Sequence, residues 1–194
     1  MILTAVLAVA CSYVLGSMST GLWLGLWLRG VDIRCHGSKN IGATNTLRVL
    51  GKGLGAAALV GDIGKGLLAV LLVARLSAWP HAPLACGAAA ILGHTASMFL
   101  KFRGGKGVAT GAGVFLGLCP WPTVVAAAVF AVVVAATRMV SAGSIAAAAV
   151  LCLAVYVFPH SWPLRIAVTL IVLLVVWRHR SNIQRIVKGQ ENRL

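Results

Sequence analysis

Long apolar stretches recur along the whole chain and constrain its fold more than any other feature. The first, residues 1–28, has no charged side chain. Six more follow: Leu54–Ala74, Leu84–Leu100, Val108–Cys119, Trp121–Thr137, Val140–Phe158 and Trp162–Trp177. A helix needs about 17–20 apolar residues to cross a bilayer, and 60% of all residues here are hydrophobic. The chain is therefore predicted to be an all-α integral membrane protein.

The fourth apolar segment, Val108–Cys119, is too short for an ordinary crossing. Pro120 and Pro122 follow it directly. It is either a broken helix or the first leg of a tight hairpin. The hairpin gives a seven-span helical bundle with a short or broken fourth helix.

The distribution of Lys and Arg favours the hairpin, because cytoplasmic loops of membrane proteins carry an excess of these cations. With seven spans and the N-terminus outside, only Arg75 and Arg165 lie near outer ends, and Lys65 lies within a span. The inner side carries the others: Arg29, Arg34, Lys39, Arg48, Lys52, Lys101, Arg103, Lys106, Arg138, Arg178, Arg180, Arg185, Lys188 and Arg193. We predict seven spans, a cytoplasmic C-terminus and a single polytopic domain over residues 1–194.

Small residues recur at intervals of four in the first apolar stretch. Ser12, Gly16 and Thr20 form one such series, and Gly21 and Gly25 form another. Small faces allow membrane helices to approach closely. We therefore expect this stretch to pack tightly against a neighbouring helix.

Positive charge dominates the polar part of the chain. Seventeen Lys and Arg face three acids, Asp32, Asp62 and Glu191, for a net charge of +14. Nucleic-acid binding requires an exposed basic domain, and most of this chain is expected to lie in lipid. Three acids also argue against chemistry that uses clustered carboxylates to hold paired Mg²⁺ ions. The charge indicates a membrane protein that handles anions at one surface.

Two charged residues lie inside an apolar segment. An unpaired charge at the bilayer centre costs at least about 2.5–3.5 kcal/mol. The spacing of Asp62 and Lys65 therefore predicts that they pair with each other; alternatively, Asp62 orients a cation of a functional site. His94, near the inner end of the third span, is predicted to be a packed or hydrogen-bonded histidine.

The first polar loop, residues 34–48, combines hydroxyls, amides, glycines and cations. No carboxylate lies between Asp32 and Asp62. Hydrogen bonds to charged groups contribute about 1.5–3 kcal/mol each, so several converging ones hold a phosphate. An ordinary cytoplasmic loop explains the Arg and Lys but not the density of Gly, Ser, Thr and Asn.

The second polar loop, residues 101–110, reads Lys-Phe-Arg-Gly-Gly-Lys-Gly-Val-Ala-Thr. Glycines before a helix N-terminus offer free N–H groups and a positive dipole end, both of which suit anions. It is not a Walker A loop, because Gly107 replaces the Ser or Thr that binds Mg²⁺. A flexible hinge is the alternative for this loop taken alone.

The third polar cluster lies in the tail, within residues 179–193. If the tail continues the last helix, His179 and Asn182 lie one turn apart on one face. The alternative is a basic stop-transfer tail at the lipid surface. We expect the three clusters to meet at the inner leaflet as one cationic pocket for phosphorylated molecules.

Together these motifs resemble the acyl-phosphate-dependent glycerol-3-phosphate acyltransferases of bacterial membranes, the PlsY family, over nearly the whole chain. The motifs that carry the resemblance are Gly37-Ser38-x-Asn40-Ile41-Gly42-Ala43-Thr44-Asn45-x-x-Arg48, Asp62-Ile63-x-Lys65-Gly66, Gly93-His94, Lys101-Phe102-x-Gly104-Gly105-Lys106-Gly107-Val108-Ala109-Thr110, and His179-Arg180-x-Asn182-Ile183-x-Arg185 with Lys188-Gly189.

The resemblance implies transfer of a fatty acyl group from acyl phosphate to the first hydroxyl of glycerol 3-phosphate, giving lysophosphatidate and inorganic phosphate. It implies acyl phosphate, glycerol 3-phosphate and membrane lipid as partners, with no cofactor, metal or nucleic acid, in the bacterial cytoplasmic (inner) membrane. The implied catalytic residues are Ser38, Arg48, Lys106, His179 and Asn182. The implied phosphate-binding residues are Asn40, Thr44, Asn45, Gly104, Gly105 and Gly107.

Two positions depart from the family pattern. The first helix has Gly16-Ser17-Met18-Ser19-Thr20-Gly21 without the usual proline, and Ser181 stands where a Glu is common. Neither change removes a residue of the implied site. The hydroxyl proton goes either to His179 as a general base or to a substrate phosphate oxygen; we favour the phosphate, with His179 as a positioning donor.

Other functions fit the sequence less well. A small membrane transporter or channel for phosphorylated anions is the main alternative, but it commonly shows inverted repeats and polar residues at the midplane. A nucleotide-dependent lipid phosphotransferase is disfavoured by the scarcity of acids. A structural protein of the membrane surface is the fourth possibility.

Overall fold

The computed structural model describes residues 1–194 as ten α-helices with no β-strand. The α-helices are α1 (Ile2–Ser17), α2 (Thr20–Arg29), α3 (Ala43–Leu50), α4 (Lys52–Leu71), α5 (Ala82–Thr95), α6 (Val108–Leu118), α7 (Pro120–Thr137), α8 (Val140–Val157), α9 (Trp162–Arg178) and α10 (Arg180–Val187). Short 3₁₀ helices cover Ile33–Cys35, Val73–Leu76 and Met98–Leu100. The all-α prediction is confirmed.

Between four and six helical segments qualify as membrane spans. Lys52–Leu76, Ala82–Leu100, Pro120–Thr137 and Val140–Val157 are each long and apolar enough. The pairs α1–α2 and α9–α10 also qualify, but they are bent by 48° and 56°. Helix α6 has only 11 residues, in agreement with the short fourth segment of the prediction. These lengths fit a multi-pass membrane protein, and the count of seven stays a prediction.

Large apolar side chains on the surface support the same conclusion. Val132, Leu153 and Leu170 are each more than 60% exposed, on three different apolar helices. Water disfavours such extended apolar surface, whereas lipid chains accept it. Hydrocarbon is the solvent that this surface fits.

Both ends of the apolar series contain a bend that hydropathy does not reveal. Ser17 and Thr20 flank the first break, where Met18 and Ser19 adopt extended backbone angles. His179 forms the second break. The tail is therefore not a straight continuation of the last span, and His179 lies at the junction of two helices.

Residues 1–118 form one compact unit. Close glycine packing joins its helices: a Cβ at Gly16 of α1 would overlap the backbone of Ala90 in α5, and a Cβ at Gly66 of α4 would overlap that of Thr110 in α6. Direct backbone approach of this kind is the usual means of packing membrane helices. The close contact predicted for the Gly16 face is confirmed.

Residues 119–194 form the second compact unit. Helix α7 packs on α8, and α8 packs on α9. The tail after α10 returns to the turn between α7 and α8, where the Leu194 N–H donates to the Arg138 carbonyl at 2.8 Å. This return places the last residues beside the beginning of α8.

Candidate active site

The first polar loop begins with a 3₁₀ turn that Asp32 caps. The Arg34 backbone N–H donates to Asp32 Oδ1 at 2.9 Å, and Arg34 Nη2 lies 2.6 Å from Asp32 Oδ2. Hydrogen bonding from the Arg34 side chain holds the pKa of Asp32 below its ordinary value, against the opposing effect of burial. The one carboxylate of this region is therefore paired and does not repel an anion.

Asn45 organises the middle of this loop. Its side chain is buried, and its Oδ1 accepts from the Ser38 backbone N–H at 2.8 Å. Its Nδ2 donates to the carbonyls of Ile33 and His36 at 2.8 and 3.2 Å. Asn45 thus fixes the backbone position of Ser38, whose own side chain is exposed.

Gly37 shows why this loop requires glycine. Its φ of +57° lies in the left-handed region, and a Cβ there would overlap Asn45 Oδ1. Both constraints act on one residue. They place the Ser38 N–H against the Asn45 amide.

The other first-loop residues of the predicted site lie at the start of α3. Asn40 Oδ1 accepts from the Gly42 N–H at 2.9 Å, immediately before the helix begins. Thr44 is half-buried in the first turn of α3, and Arg48 is exposed in its second turn. The side chain of Arg48 is therefore accessible from outside the unit.

The second polar loop is attached to the end of α5 by its backbone. The Gly104 N–H donates to the Thr95 carbonyl at 3.1 Å, and the Gly105 N–H donates to the His94 carbonyl at 2.9 Å. We call residues 104–107 the glycine loop. Lys106 is half-buried within it, and Gly107 turns the chain into α6 with a φ of +82°.

An apolar cluster places the two polar loops of this unit side by side. Leu22, Ile33 and Ile41 are buried together, and Leu100 packs against them. Ile41 belongs to the first loop and Ile33 directly precedes it, while Leu100 directly precedes the second. The predicted association of these two loops is therefore supported by their shared apolar base.

A buried ion pair lies in α4 of the same unit. Lys65 Nζ is 2.8 Å from Asp62 Oδ1, and both side chains are at most 5% exposed. The predicted pairing is confirmed. His94 is also buried and hydrogen-bonded, as predicted, and its Nδ1 lies 2.9 Å from Lys65 Nζ.

In the second unit, His179 occupies the junction of α9 and α10. It is buried, and its Nδ1 lies 2.8 Å from the Val175 carbonyl. A carbonyl oxygen can only accept, so Nδ1 carries the proton and donates. When the ring is neutral, Nε2 therefore has a lone pair that accepts a hydrogen bond or a proton.

Asn182 is held by a residue that the sequence did not single out for the site. Its Nδ2 donates to Glu191 Oε1 at 2.7 Å. Ser141 donates to the same oxygen at 2.9 Å, and Arg185 Nε donates to Oε2 at 2.8 Å. We call Asn182, Arg185, Glu191 and Ser141 the tail cluster. The available signal was an isolated acid in a basic tail, nine positions after Asn182.

Electrostatics favour the charged form of Glu191. Burial alone would raise the pKa of this carboxyl, but hydrogen bonds from Asn182, Arg185 and Ser141 outweigh burial and hold the pKa below its ordinary value. Glu191 is therefore a carboxylate at neutral pH. As an acceptor-only group it fixes the direction of the Asn182 amide.

These two sets of groups suit phosphate chemistry. The free N–H groups expected of the consecutive glycines are not available at Gly104 and Gly105, because both donate to carbonyls of α5. The first unit offers instead the N-terminus of α6 and the cations Arg48 and Lys106, which stabilise negative oxygens. The second offers the imidazole of His179 and the amide of Asn182. That His179 and Asn182 act together with Ser38, Arg48 and Lys106 stays a prediction from the sequence.

Comparisons with known proteins agree with the motif resemblance. A family model described as glycerol-3-phosphate acyltransferase matches residues 6–189. Among curated relatives named glycerol-3-phosphate acyltransferase, that of Trichlorobacter lovleyi is 49% identical over 185 residues, covering 95% of each chain. That of Geobacter sulfurreducens is 46% identical over 192 residues, covering 98% of each chain.

Solved structures give the same result. Crystal structures of PlsY (YgiH), an integral membrane glycerol 3-phosphate acyltransferase, match with TM-scores of 0.92 for the glycerol 3-phosphate form and 0.90 for the lysophosphatidic acid form. Each is 34% identical and covers 98% of this chain and 95% of its own. The chain therefore belongs to the glycerol-3-phosphate acyltransferase family of integral membrane enzymes.

Proposed function

We propose that this chain transfers a fatty acyl group from acyl phosphate to the first hydroxyl of glycerol 3-phosphate. Family membership makes it an acyltransferase of phospholipid synthesis. The observation that carries the proposal is the family match over residues 6–189, which contains all but the last residues of the three polar clusters. The glycine loop and its neighbouring cations are the groups that a reaction between two phosphates requires.

The reaction balances without an added reductant, oxidant or metal. The glycerol 3-phosphate hydroxyl oxygen attacks the acyl carbonyl carbon, a new C–O bond forms, and the bond from that carbon to the phosphate oxygen breaks. The hydroxyl proton ends on the departing phosphate. Because acyl phosphate contains its own good leaving group, the protein has to supply orientation and charge stabilisation.

The first unit is proposed to hold phosphate. N–H groups at the N-terminus of α6, which the glycine loop leads into, bind its oxygens, with charge from Lys106 and Arg48. Ser38 contributes its hydroxyl, and Asn45 acts through the backbone of Ser38. The remaining residues of the proposed phosphate-binding set lie on the same two loops: Asn40, Thr44, Gly104, Gly105 and Gly107.

The second unit is proposed to act on the attacking hydroxyl. We propose that a substrate phosphate oxygen takes the proton and that His179 and Asn182 position the substrate. His179→Gln tests this, since Gln forms hydrogen bonds but cannot take up a proton. Retention of more than about a tenth of wild-type kcat is expected, whereas a general base contributes about 10²–10⁴-fold. A loss of that larger size would assign the proton to His179.

Seven crossings complete the proposal. Six come from the four long segments and the two bent pairs, and α6 supplies the seventh. The excess of Lys and Arg on one side then sets the N-terminus outside and the C-terminus in the cytoplasm. The proposed location is the bacterial cytoplasmic (inner) membrane.

Labelling of Cys35 tests this topology. Cys35 is an exposed free cysteine in the first polar loop, and Cys11 is the other exposed one. In a Cys11→Ser variant, a membrane-impermeant maleimide is expected to leave Cys35 unlabelled in sealed spheroplasts and to label it after lysis. Labelling of Cys35 in sealed spheroplasts would reverse the proposed orientation.

The donor test decides the reaction. Purified protein is incubated with glycerol 3-phosphate and either acyl phosphate or acyl-CoA, and lysophosphatidate is measured. We expect product from acyl phosphate and none from acyl-CoA. Product from acyl-CoA alone would overturn the proposed donor. Transport of glycerol 3-phosphate into liposomes without any acyl donor, together with no product, would favour a transporter.

Lys106 provides the sharpest test of the phosphate-binding residues. Lys106→Ala is expected to lower kcat/KM by about 100-fold or more, because a charge-assisted contact to a transition-state oxygen is lost. Lys52→Ala is the matched control, since Lys52 is exposed at the start of α4. Equal activity of the two variants would remove Lys106 from the site.

A further inference from the structure

The buried pair in α4 has more partners than charge neutralisation requires. Lys65 Nζ has three N–H bonds, and three acceptors surround it. These are Asp62 Oδ1 at 2.8 Å, the Met18 carbonyl at 2.7 Å and His94 Nδ1 at 2.9 Å. Neutralising Asp62 needs only the first. The bond to the Met18 carbonyl holds the break between α1 and α2. The bond to His94 connects α4 to the end of α5.

The contact with Lys65 fixes the protonation of His94. An ammonium group only donates, so His94 Nδ1 accepts. The proton of the neutral imidazole then lies on Nε2. This nitrogen faces Gly105, because a Cβ at Gly105 would overlap it. An imidazole N–H is therefore directed to the glycine loop.

The same turn of α5 holds the glycine loop through its backbone. The carbonyls of Thr95 and His94 accept from the N–H groups of Gly104 and Gly105. Lys106 follows immediately. Movement of His94 would therefore displace the backbone that precedes Lys106 and α6.

We propose that Lys65 and His94 are positioning residues for the glycine loop. Lys65 sets the orientation and protonation of His94, and His94 supports the loop at Gly105 in the shape that receives a substrate phosphate. This inference rests on the proposed function, since it assigns the phosphate to the glycine loop. Neither residue is proposed to touch the substrate.

A double variant separates positioning from neutralisation. Asp62→Asn with Lys65→Met removes both charges at once and leaves no unpaired charge in the span. If Lys65 serves only to neutralise Asp62, this variant behaves like wild type. If Lys65 positions His94, the variant folds but its glycine loop is loosened. His94→Asn tests the next step, because Asn keeps an acceptor near Lys65 and loses the N–H that faces Gly105.

Steady-state kinetics on the purified enzyme give the first measurement. For the double variant and for His94→Asn, the KM of at least one phosphate substrate is expected to rise about tenfold, the loss of roughly one hydrogen bond. The kcat is expected to change by less than about twofold. Gly64→Ala is the control, since a Cβ there meets no atom within 4 Å. Unchanged KM values in both variants would overturn the proposal.

Hydrogen exchange gives a measurement that does not depend on activity. The amides of Gly104 and Gly105 are expected to exchange about tenfold faster in both variants than in wild type and in Gly64→Ala. Unchanged exchange would overturn the proposal even if activity falls. If wild type fails to use acyl phosphate, the proposed function fails, while the exchange rates still decide whether Lys65 and His94 hold the loop. If the double variant does not fold, His94→Asn alone decides.

Discussion

The glycine loop and the tail cluster are held in place by different interactions. In the glycine loop, backbone N–H groups of Gly104 and Gly105 bond to carbonyls of α5, and glycine allows the close approach. In the tail cluster, Asn182, Arg185 and Ser141 all bond to the single carboxylate of Glu191. One region depends on the absence of side chains, and the other depends on one charged side chain.

This difference predicts different weaknesses. Close backbone packing tolerates no added volume, but the hydrogen bonds of Gly104 and Gly105 join uncharged backbone groups. The tail cluster tolerates changes of neighbouring volume, but it depends on the charge of the Glu191 carboxylate and therefore on pH. Added volume should therefore disrupt the glycine loop, and acid should disrupt the tail cluster.

The largest effect is expected from a methyl group in the glycine loop. In Gly105→Ala the new Cβ overlaps His94 Nε2, so the loop must shift. A shift of about 1 Å in a positioning element costs on the order of 100-fold in rate, and kcat/KM should fall by that amount. Gly53→Ala in α4, where a Cβ meets nothing within 4 Å, is the control. Equal activity of the two variants would show that the loop accepts added volume.

A smaller loss of kcat/KM is expected when the Glu191 carboxylate is removed. Glu191→Ala removes an acceptor of the Asn182 amide, which costs about 1–3 kcal/mol in the cluster. We expect kcat/KM to fall about tenfold and the thermal midpoint to decrease. Glu191→Gln keeps an acceptor for Asn182. Its kcat/KM and thermal midpoint should lie between those of Glu191→Ala and wild type. A Gln variant as impaired as Ala would show that charge, not hydrogen bonding, is what matters.

Acid should loosen the tail cluster, because its central group is the carboxylate of Glu191. The pKa of folded Glu191 lies below its ordinary value of 4.5. Its stabilising contribution is therefore complete above pH 4.5 and is lost as pH falls through the lower folded pKa. Hydrogen exchange of residues 182–191 should increase in that range, relative to the intrinsic rate, in wild type but not in Glu191→Gln. The same step in Glu191→Gln would assign it to another group.

The smallest effect is expected at the exposed pair of Asp32 and Arg34. Surface ion pairs contribute about 0–1 kcal/mol, and the Arg34 side chain is 47% exposed. Asp32→Asn also keeps an oxygen that accepts from the Arg34 N–H. Activity should stay within about twofold of wild type. A loss as large as that of Glu191→Ala would mean that the first loop also depends on a carboxylate.

Much of the fold was predictable because bilayers impose simple rules. The lengths of the apolar stretches predicted the helical segments, including the short α6. The cost of an isolated charge in lipid predicted that Asp62 pairs with Lys65. The bends at Met18 and His179 were not predictable. The apolar stretch continues without interruption across Met18, and the bend at His179 depends on local backbone geometry.

The site was predictable in its residue types and less so in its contacts. Gly, Lys and Asn in the polar loops indicated phosphate chemistry before any geometry was known. The contact of His94 with Lys65 joins two residues 29 positions apart in the sequence. No local sequence pattern predicts such a contact. Glu191 was counted only as one of three acids, since its contact with Asn182 depends on the return of the tail to Ser141.

The stoichiometry of the two products tests acyl transfer from acyl phosphate. Inorganic phosphate and lysophosphatidate are measured in the same sample of purified protein, with and without glycerol 3-phosphate. We expect equal amounts of both products and no phosphate release above background when glycerol 3-phosphate is omitted. Phosphate release without lysophosphatidate, or lysophosphatidate without phosphate, would contradict it.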